Sequence, residues 1–173
     1  MPCLKIVHYP EPVLLTQGRP VGEDELGTET NQLIEDMFAT MADAGGVGLA
    51  APQVGVSKRL FVMDVPSEGG ERKRMVFINP DIIRVEGEQI GEEGCLSFPG
   101  LYQTIKREMR VIVGAEDTDG QRVEYDLNGL AARCVLHETD HCDGIVFLDR
   151  MTPLKRELAK RRIKRLQKTG KWE

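Results

Sequence analysis

Apolar residues recur at helical spacing in the first quarter of the chain. The residues that share this face are Leu33, Ile34, Met37, Phe38 and Met41. Their intervals place them on one side of a helix with about 3.6 residues per turn. Gly45 and Gly46 would end this helix and deliver the chain into a glycine-rich segment, which we predict to be a loop or an extended strand.

In the middle of the chain the apolar pattern is that of β-strands. The predicted strands are residues 59–65, 75–83, 109–115 and 122–127. The loop of residues 66–70 separates the first two. The last two are predicted to pair across Thr118-Asp119-Gly120, because short polar segments with a glycine are typical of turns.

The last third of the chain has two helical patterns. Residues 130–142 form one helix, which ends before Gly144, and residues 152–173 form a basic C-terminal helix. Thr152 is suited to be the N-cap of the basic helix and Pro153 its first residue. We therefore predict an α+β fold, with antiparallel strands packed around a central helix and one helix at each end of the chain.

The composition favours one globular domain. A length of 173 residues and an apolar content of 40% suffice for one core, so we expect residues 1–173 to be a single domain. The first five residues contain no apolar signal core, and no apolar run approaches the length of a membrane span. We expect a soluble, cytoplasmic protein, in which four cysteines without a framework spacing stay reduced.

Charge is distributed unevenly along the chain. From Lys155 to the end, nine basic residues stand against two acidic ones, a balance of +7, which leaves −12 for the rest and gives the total of −5. The basic helix is therefore a candidate for contact with nucleic acid or an acidic surface. We expect its apolar residues to pack on the body of the protein. These residues are Leu154, Leu158, Ile163 and Leu166.

Candidate chemistry is concentrated in the predicted central helix. His137 and His141 enclose a His-Glu-x-x-His segment in a chain with one further histidine, His8. Residues four apart on a helix lie about 40° apart around its axis, so both imidazoles can bind one metal ion. Glu138 is placed where its carboxylate can act as a general base. The segment favours a metal-dependent hydrolase, with a surface set of ion pairs as the other interpretation.

A catalytic site of this kind requires a third protein ligand from elsewhere. Cys95 is favoured because a ligand on a separate strand or loop can approach the metal from outside the helix. Cys134 would share a helical face with the two imidazoles, and both it and Cys142 are more typical of small buried apolar residues. Glu157 is a further candidate, although it lies among basic residues that would pair with it.

The glycine-rich segment from Gly46 to Gly55 supplies the third group of candidates. Its small residues allow the backbone to approach a ligand closely, and we assign Gly48 to substrate contact. Gln53 is the one side chain in this segment that carries both a donor and an acceptor.

Three motifs together resemble those of the peptide deformylase family. They are Gly-x-Gly-x-Ala-Ala-x-Gln from Gly46, Glu-Gly-Cys-x-Ser from Glu93 and His-Glu-x-x-His from His137. The resemblance runs from Ile6 to about Leu148. Departures from the common family pattern are Leu136, Thr139 and Cys142, none of which removes a ligand.

The resemblance implies specific roles for the residues of these motifs. The implied metal ligands are Cys95, His137 and His141. Glu138 would be the catalytic acid and base, and Gln53 and the backbone N–H of Leu96 would donate hydrogen bonds to the formyl oxygen of the substrate. We also place Glu93 against the substrate, with an exposed carboxylate as the other interpretation.

The sequence allows more than one interpretation for the charged neighbours of the motifs. Asp140 either holds a histidine through its second ring nitrogen or faces solvent. Arg107 is predicted to be a solvated cation at a strand edge, with positioning of the Cys95 loop as the alternative. His8 is predicted to be structural or exposed.

The resemblance also implies a function for the single catalytic domain. Family members remove the formyl group from the N-terminal methionine of new polypeptides, with one divalent metal ion, most often Fe(II), which Zn or Ni can replace. N-formylmethionyl peptides are then the substrate, the ribosome is a candidate partner of the basic helix, and we expect a monomer without membrane contact. Two alternatives are a zinc endopeptidase with Glu157 as third ligand and a ribosome- or RNA-binding protein with a structural metal site.

Overall fold

A computed structural model describes residues 3–66 and 69–172, so Ser67 and Glu68 of the predicted loop lie outside the described residues. In chain order the helices and strands are α1 (Thr28–Asp43), β1 (Gly48–Ala50), β2 (Leu60–Pro66), β3 (Arg72–Glu86), β4 (Gln89–Cys95), β5 (Phe98–Arg107), β6 (Arg110–Glu116), β7 (Arg122–Asn128), α2 (Gly129–Cys142) and α3 (Pro153–Lys168). Four short 3-10 turns complete the described elements. No helix among the described residues is both long and apolar enough to cross a bilayer.

A mostly antiparallel arrangement surrounds α2, which confirms the predicted α+β fold. Five strands form one sheet in the order β1-β2-β3-β6-β7, and β4 pairs with β5 in a separate two-stranded sheet. Phe61 and Phe77 are opposite each other on neighbouring strands, with ring centroids 4.6 Å apart. These rings and Val113 form a buried cluster with Ala132 and Val135 of α2. The sheet therefore provides the apolar floor on which the central helix lies.

The β4–β5 hairpin was missed by the sequence pattern. No strand was predicted between residues 84 and 108, whereas the structure has β4 and β5 there, joined by the turn Leu96-Ser97. In β5, burial alternates regularly only after Pro99-Gly100, where Gly100 has a φ of +74°. The register of the hairpin also shifts between Gly94 and Cys95. This irregular start hides the period of two on which strand prediction relies.

The basic helix begins as predicted, but it ends at Lys168 and not at the predicted residue 173, and it packs through different residues. Thr152 caps it by accepting a hydrogen bond from the backbone N–H of Lys155 at 3.4 Å. Ile163 is buried, whereas Leu154 is 71% exposed and Leu158 is 53% exposed, so the predicted packing of both leucines was wrong. Successive helical residues point about 100° apart. Ala159, one position after Leu158, consequently takes the buried face together with Ile163.

The end of the chain returns to its beginning. Trp172 is buried, and its indole N–H donates a hydrogen bond to the carbonyl of Tyr9 at 2.6 Å. His8 Nδ1 lies 3.2 Å from the carbonyl oxygen of Trp172, which confirms a structural role for this histidine. The indole also packs edge-on against Phe98, with ring centroids 5.9 Å apart. Both ends of the described chain are thereby fixed beside the first residue of β5.

The packing of α3 predicts different consequences for two aliphatic truncations on the same helix. Ile163→Ala should lower the free energy of unfolding by about 2–4 kcal/mol, because it leaves a cavity in a buried cluster. Leu158→Ala is the matched control and should change it by less than about 0.5 kcal/mol. Urea unfolding followed by circular dichroism measures both. Equal losses would contradict the packing described for α3.

Candidate metal centre

Helix α2 and strand β4 bring three candidate ligand atoms close together. His137 and His141 are buried on α2, and Cys95 is the last residue of β4. Their candidate ligand atoms all lie within 4.8 Å of one another, with Cys95 Sγ 3.3 Å from His141 Nε2. Burial holds the pKa of His141 well below its ordinary value, which favours the neutral imidazole that metals bind. Among the described residues, no other group of three such side chains converges in this way.

The rival third ligands lie elsewhere. The thiol of Cys134 is buried and faces the carbonyl of Val47 at 3.7 Å. Cys142 is fully buried, and burial raises the pKa of its thiol to about 12. Glu157, the third ligand in the alternative endopeptidase interpretation, is exposed on α3 and is not part of the cluster.

Glu138 is buried next to the ligands, and the absence of a side chain at Gly48 leaves space for it. Burial raises the pKa of its carboxyl to about 7, against the opposing effect of His137. Within the described part of the chain, its Oε1 has no hydrogen-bond partner. A Cβ atom at Gly48 would lie 2.7 Å from Glu138 Oε2 and 2.6 Å from Cys134 Sγ. The absence of a side chain at Gly48 is therefore what allows β1 to approach α2 at this point.

Gln53 presents its amide nitrogen to the same site. Its side-chain oxygen accepts a hydrogen bond from the backbone N–H of Ala50 at 2.9 Å, which fixes the orientation of the amide. The amide nitrogen then lies 3.6 Å from Cys95 Sγ and 3.3 Å from Ser97 Oγ. Leu96 follows Cys95 in the β4–β5 turn. Gln53 and Leu96 both line a cleft of about 490 Å³ that also includes Glu138 and Gly48.

Glu93 lines this cleft, but its carboxylate is engaged by protein groups instead of being free for substrate. His137 Nδ1–H donates to its Oε2 at 2.6 Å, Arg107 binds both oxygens at 2.8 and 3.0 Å, and Arg133 binds Oε1 at 3.0 Å. Burial alone would raise the pKa of Glu93, but the hydrogen bonds from His137 and Arg107 hold it well below its usual range. The carboxylate is thus an anion that orients His137, leaving Nε2 of that ring for a metal.

Arg107 is buried, so the prediction of a solvated cation was wrong. It joins Glu93 to Asp140, whose Oδ2 it binds at 2.8 Å. Alternate residues of a strand point to the same side of the sheet. Leu101 and Ile105 are buried on the same side of β5 as Arg107, so the alternation would have predicted a buried Arg107 if β5 had been recognised. Asp140 contacts neither histidine through a hydrogen bond, and its carboxylate is held by Arg107 and Arg150.

Two functional neighbours were not singled out from the sequence. Arg133 is buried one helical turn before His137 and bonds both Glu93 and the carbonyl of Ile105. Arg150, in a 3-10 turn before α3, binds Asp140 with two hydrogen bonds. The interval of four residues between Arg133 and His137, which places both on one face of the helix, could have identified Arg133 from the sequence. No periodic pattern identifies Arg150.

Comparison with known proteins gives consistent matches over most of the chain. A family model described as polypeptide deformylase matches residues 3–157. The peptide deformylase of Acidobacterium capsulatum is 45% identical over 96% of this chain and 97% of its own length. The crystal structure of a peptide deformylase from Legionella pneumophila is similar with a TM-score of 0.88 and 41% identity, covering 99% of both chains. That of Ehrlichia chaffeensis in complex with actinonin has a TM-score of 0.87 and 38% identity, covering 95% of this chain and 98% of its own.

The environments of the four cysteines predict an order of alkylation. Exposed Cys3 should react with iodoacetamide first, while Cys134 and Cys142 should resist because burial raises the pKa of both thiols. Cys95 should be protected in metal-loaded protein and become reactive once a chelator removes the metal. Peptide mass spectrometry identifies each modified site, and a Cys3→Ser variant removes the background. Equal labelling of Cys95 with and without metal would argue against its role as a ligand.

Proposed function

The chain belongs to the peptide deformylase family, and we propose how its individual residues carry out the family's reaction. The protein is a metal-dependent hydrolase that removes the N-formyl group from newly made polypeptides. The convergence of Cys95, His137 and His141 beside the buried carboxylate of Glu138 is the observation that carries the residue assignments. The endopeptidase and RNA-binding alternatives have no comparable support.

Cys95, His137 and His141 would hold the metal. One thiolate and two imidazoles suit both Fe(II) and Zn(II), and their ligand atoms are close enough to share one ion. We assign Fe(II) as the native ion, with Zn or Ni as substitutes. When bound, the ion supplies the Lewis acidity that activates water and polarises the formyl carbonyl.

Glu138 would move the proton. It takes one from the attacking water as oxygen adds to the formyl carbon, and returns it to the amine nitrogen as the C–N bond breaks. The products are formate and a free N-terminal amine. Burial raises the pKa of this carboxyl, which favours Glu138 as a proton acceptor.

Gln53 and Leu96 would stabilise the charge that develops on the formyl oxygen. The hydrogen bond from Ala50 already orients the Gln53 amide, so little reorganisation is needed during the reaction. The backbone N–H of Leu96 would be the second donor. Removal of one such donor typically costs about 3–4 kcal/mol of transition-state stabilisation. Gly48 would let the substrate backbone run close to β1, and Glu93 would act through His137.

The basic helix offers a contact with the ribosome. Nascent peptides are the substrates, so we place the enzyme in the cytoplasm, as a monomer that meets the ribosome through α3. Basic side chains such as Arg161 and Arg165 are exposed there, next to the exposed Leu154 and Leu158. Ribosomal RNA is polyanionic, and basic side chains bind it through its phosphates.

Hydrolysis of a formyl-Met peptide tests the proposed chemistry. Anaerobically purified, Fe(II)-loaded protein should release free amine rapidly. Glu138→Gln, which removes the base while keeping the size of the side chain, should lower kcat at least about 100-fold. Cys95→Ser should lose activity together with bound metal. Amine release is measured beside the metal content of each variant, and an inactive parent with verified metal would sink the proposal.

Co-sedimentation with ribosomes tests the role of α3. Arg161→Ala combined with Arg165→Ala should weaken binding and reduce the slope of log affinity against log salt by about 2, one for each lost phosphate contact. Lys73→Ala with Arg84→Ala, two exposed basic residues on β3, is the matched control. Hydrolysis of a short formyl peptide should be the same in all three proteins. Unchanged sedimentation of the α3 variant would refute ribosome binding through this helix.

A further inference from the structure

We propose that Arg150 is a positioning residue for the metal site. It would act through Asp140, Arg107 and Glu93 on the ring of His137, and so on how firmly the metal is held. The proposal rests on the assignment of His137 as a ligand. The argument depends on three successive contacts, each of which has a defined geometry.

The first contact orients the ligand. His137 Nδ1–H donates to Glu93 Oε2 at 2.6 Å, and the Glu93 side chain is only 5% exposed. A hydrogen-bonded carboxylate of this kind fixes which ring nitrogen faces the metal and the plane of the ring. The position of Glu93 therefore determines the position of His137 Nε2.

The second contact joins two buried carboxylates. Arg107 binds Glu93 through Nε at 3.0 Å and Nη2 at 2.8 Å, and uses Nη1 to bind Asp140 Oδ2 at 2.8 Å. The guanidinium is planar, so its bonds to Glu93 and Asp140 cannot change independently. A movement of Asp140 would be transmitted to the plane of the Glu93 carboxylate.

The third contact reaches the surface. Arg150 Nη2 binds Asp140 Oδ1 at 2.7 Å, and Nε binds Oδ2 at 3.0 Å. Within the described residues, Arg107 and Arg150 make all the side-chain hydrogen bonds to this carboxylate, and Oδ1 is bound by Arg150 alone. Without Arg150, Oδ1 of a carboxylate that is largely buried would lose its partner. The carboxylate would then be held by one hydrogen bond, from Arg107, and could rotate about it.

Positioning and general stabilisation are separated by two different measurements. Loss of a group that orients a metal ligand typically changes metal affinity by about 10–100-fold. The rate of metal release from folded protein reports on the ligands, whereas urea unfolding reports on the stability of the whole fold. If Arg150 acts as proposed, its loss accelerates metal release from protein that is still folded.

Arg110 provides a matched control within the same chain. It also binds one carboxylate with two hydrogen bonds, to Asp126 at 2.8 and 2.6 Å, and it donates a third to Glu86. The Arg110 side chain is 39% exposed, against 45% for Arg150, but Asp126 is 51% exposed whereas Asp140 is 11% exposed. Arg110 lies on β6, and neither it nor Asp126 contacts the ligands or the network around Glu93 through a hydrogen bond. Truncating it removes a two-point ion pair to an exposed carboxylate without touching the proposed path.

The experiment compares metal release from the two variants. Protein is loaded anaerobically with Co(II), whose thiolate absorption disappears on release, and is mixed with excess chelator. Arg150→Met should release Co(II) about 10–100-fold faster than the parent, and Arg110→Met within about twofold of it. Arg150→Lys should lie between them, because lysine provides charge without a two-point grip. Urea unfolding should shift more for Arg150→Met than for Arg110→Met, because only the first leaves an oxygen of a largely buried carboxylate without a partner. Release is therefore compared in buffer, where both variants are folded.

A double variant tests the path itself. Asp140→Asn should also accelerate release, and adding Arg150→Met to it should change the rate by less than twofold, since both act through one carboxylate. Equal release from Arg150→Met and Arg110→Met would overturn the proposal, as would fully additive effects with Asp140→Asn. If Arg150→Met does not fold, Arg150→Lys is compared with Arg110→Lys under the same criteria. A parent that binds no Co(II) would instead overturn the ligand assignment, and a metal-loaded parent that hydrolyses no formyl peptide would overturn the proposed function.

Discussion

The anionic carboxylate of Glu93 is the centre on which the arrangement of the site depends. It comes from β4 and receives hydrogen bonds from Arg107 on β5 and from Arg133 and His137 on α2. A buried charge with one partner removed typically destabilises a protein by about 3–5 kcal/mol. The hairpin and the helix are therefore held in the one relative position that satisfies this anion. The same position brings Cys95, at the end of the hairpin, to the histidines of α2.

Apolar packing and the charge network have separate tasks in this molecule. The cluster of Phe61, Phe77 and Val113 seats one side of α2 on the five-stranded sheet. The polar side of the helix faces the hairpin, where alternating charges run from His137 to the surface. Hydrophobic burial is not directional, so it can seat the helix without fixing its rotation to the accuracy that a metal site needs. Hydrogen bonds with defined angles supply that accuracy.

The sequence allowed prediction of what depends on local periodicity or on short motifs. Strands β2, β3, β6 and β7 and helix α2 were predicted close to their observed bounds, as were the end of α1 and the cap of α3, whereas no start was predicted for α1. The hairpin carrying Cys95 was not, because Pro99-Gly100 interrupts its alternation. The inward direction of Arg107 was lost with it. Charged partners such as Arg150 depend on tertiary contacts between distant residues, for which a single sequence carries no periodic signal.

Exposed and buried positions on α3 show a further limit of pattern analysis. Leu154 and Leu158 share the spacing of a buried stripe, yet the face chosen by packing is that of Ala159 and Ile163. Eight of the sixteen residues of α3 are basic, and such a helix presents too few apolar positions to define one face from periodicity alone. The contact with the body, including the residues near Trp172, decides which face is buried.

Trp172 gives the molecule a built-in optical reporter. It is the only tryptophan in the chain, and its ring lies against Phe98, which lines the cleft. Fluorescence excited selectively in indole therefore originates at one place, where the N-terminal segment, the C-terminal segment and the start of β5 meet. Release of either segment would transfer the ring from apolar surroundings to water and move its emission to longer wavelength. The closure of the chain ends can consequently be followed in unlabelled protein, independently of catalysis.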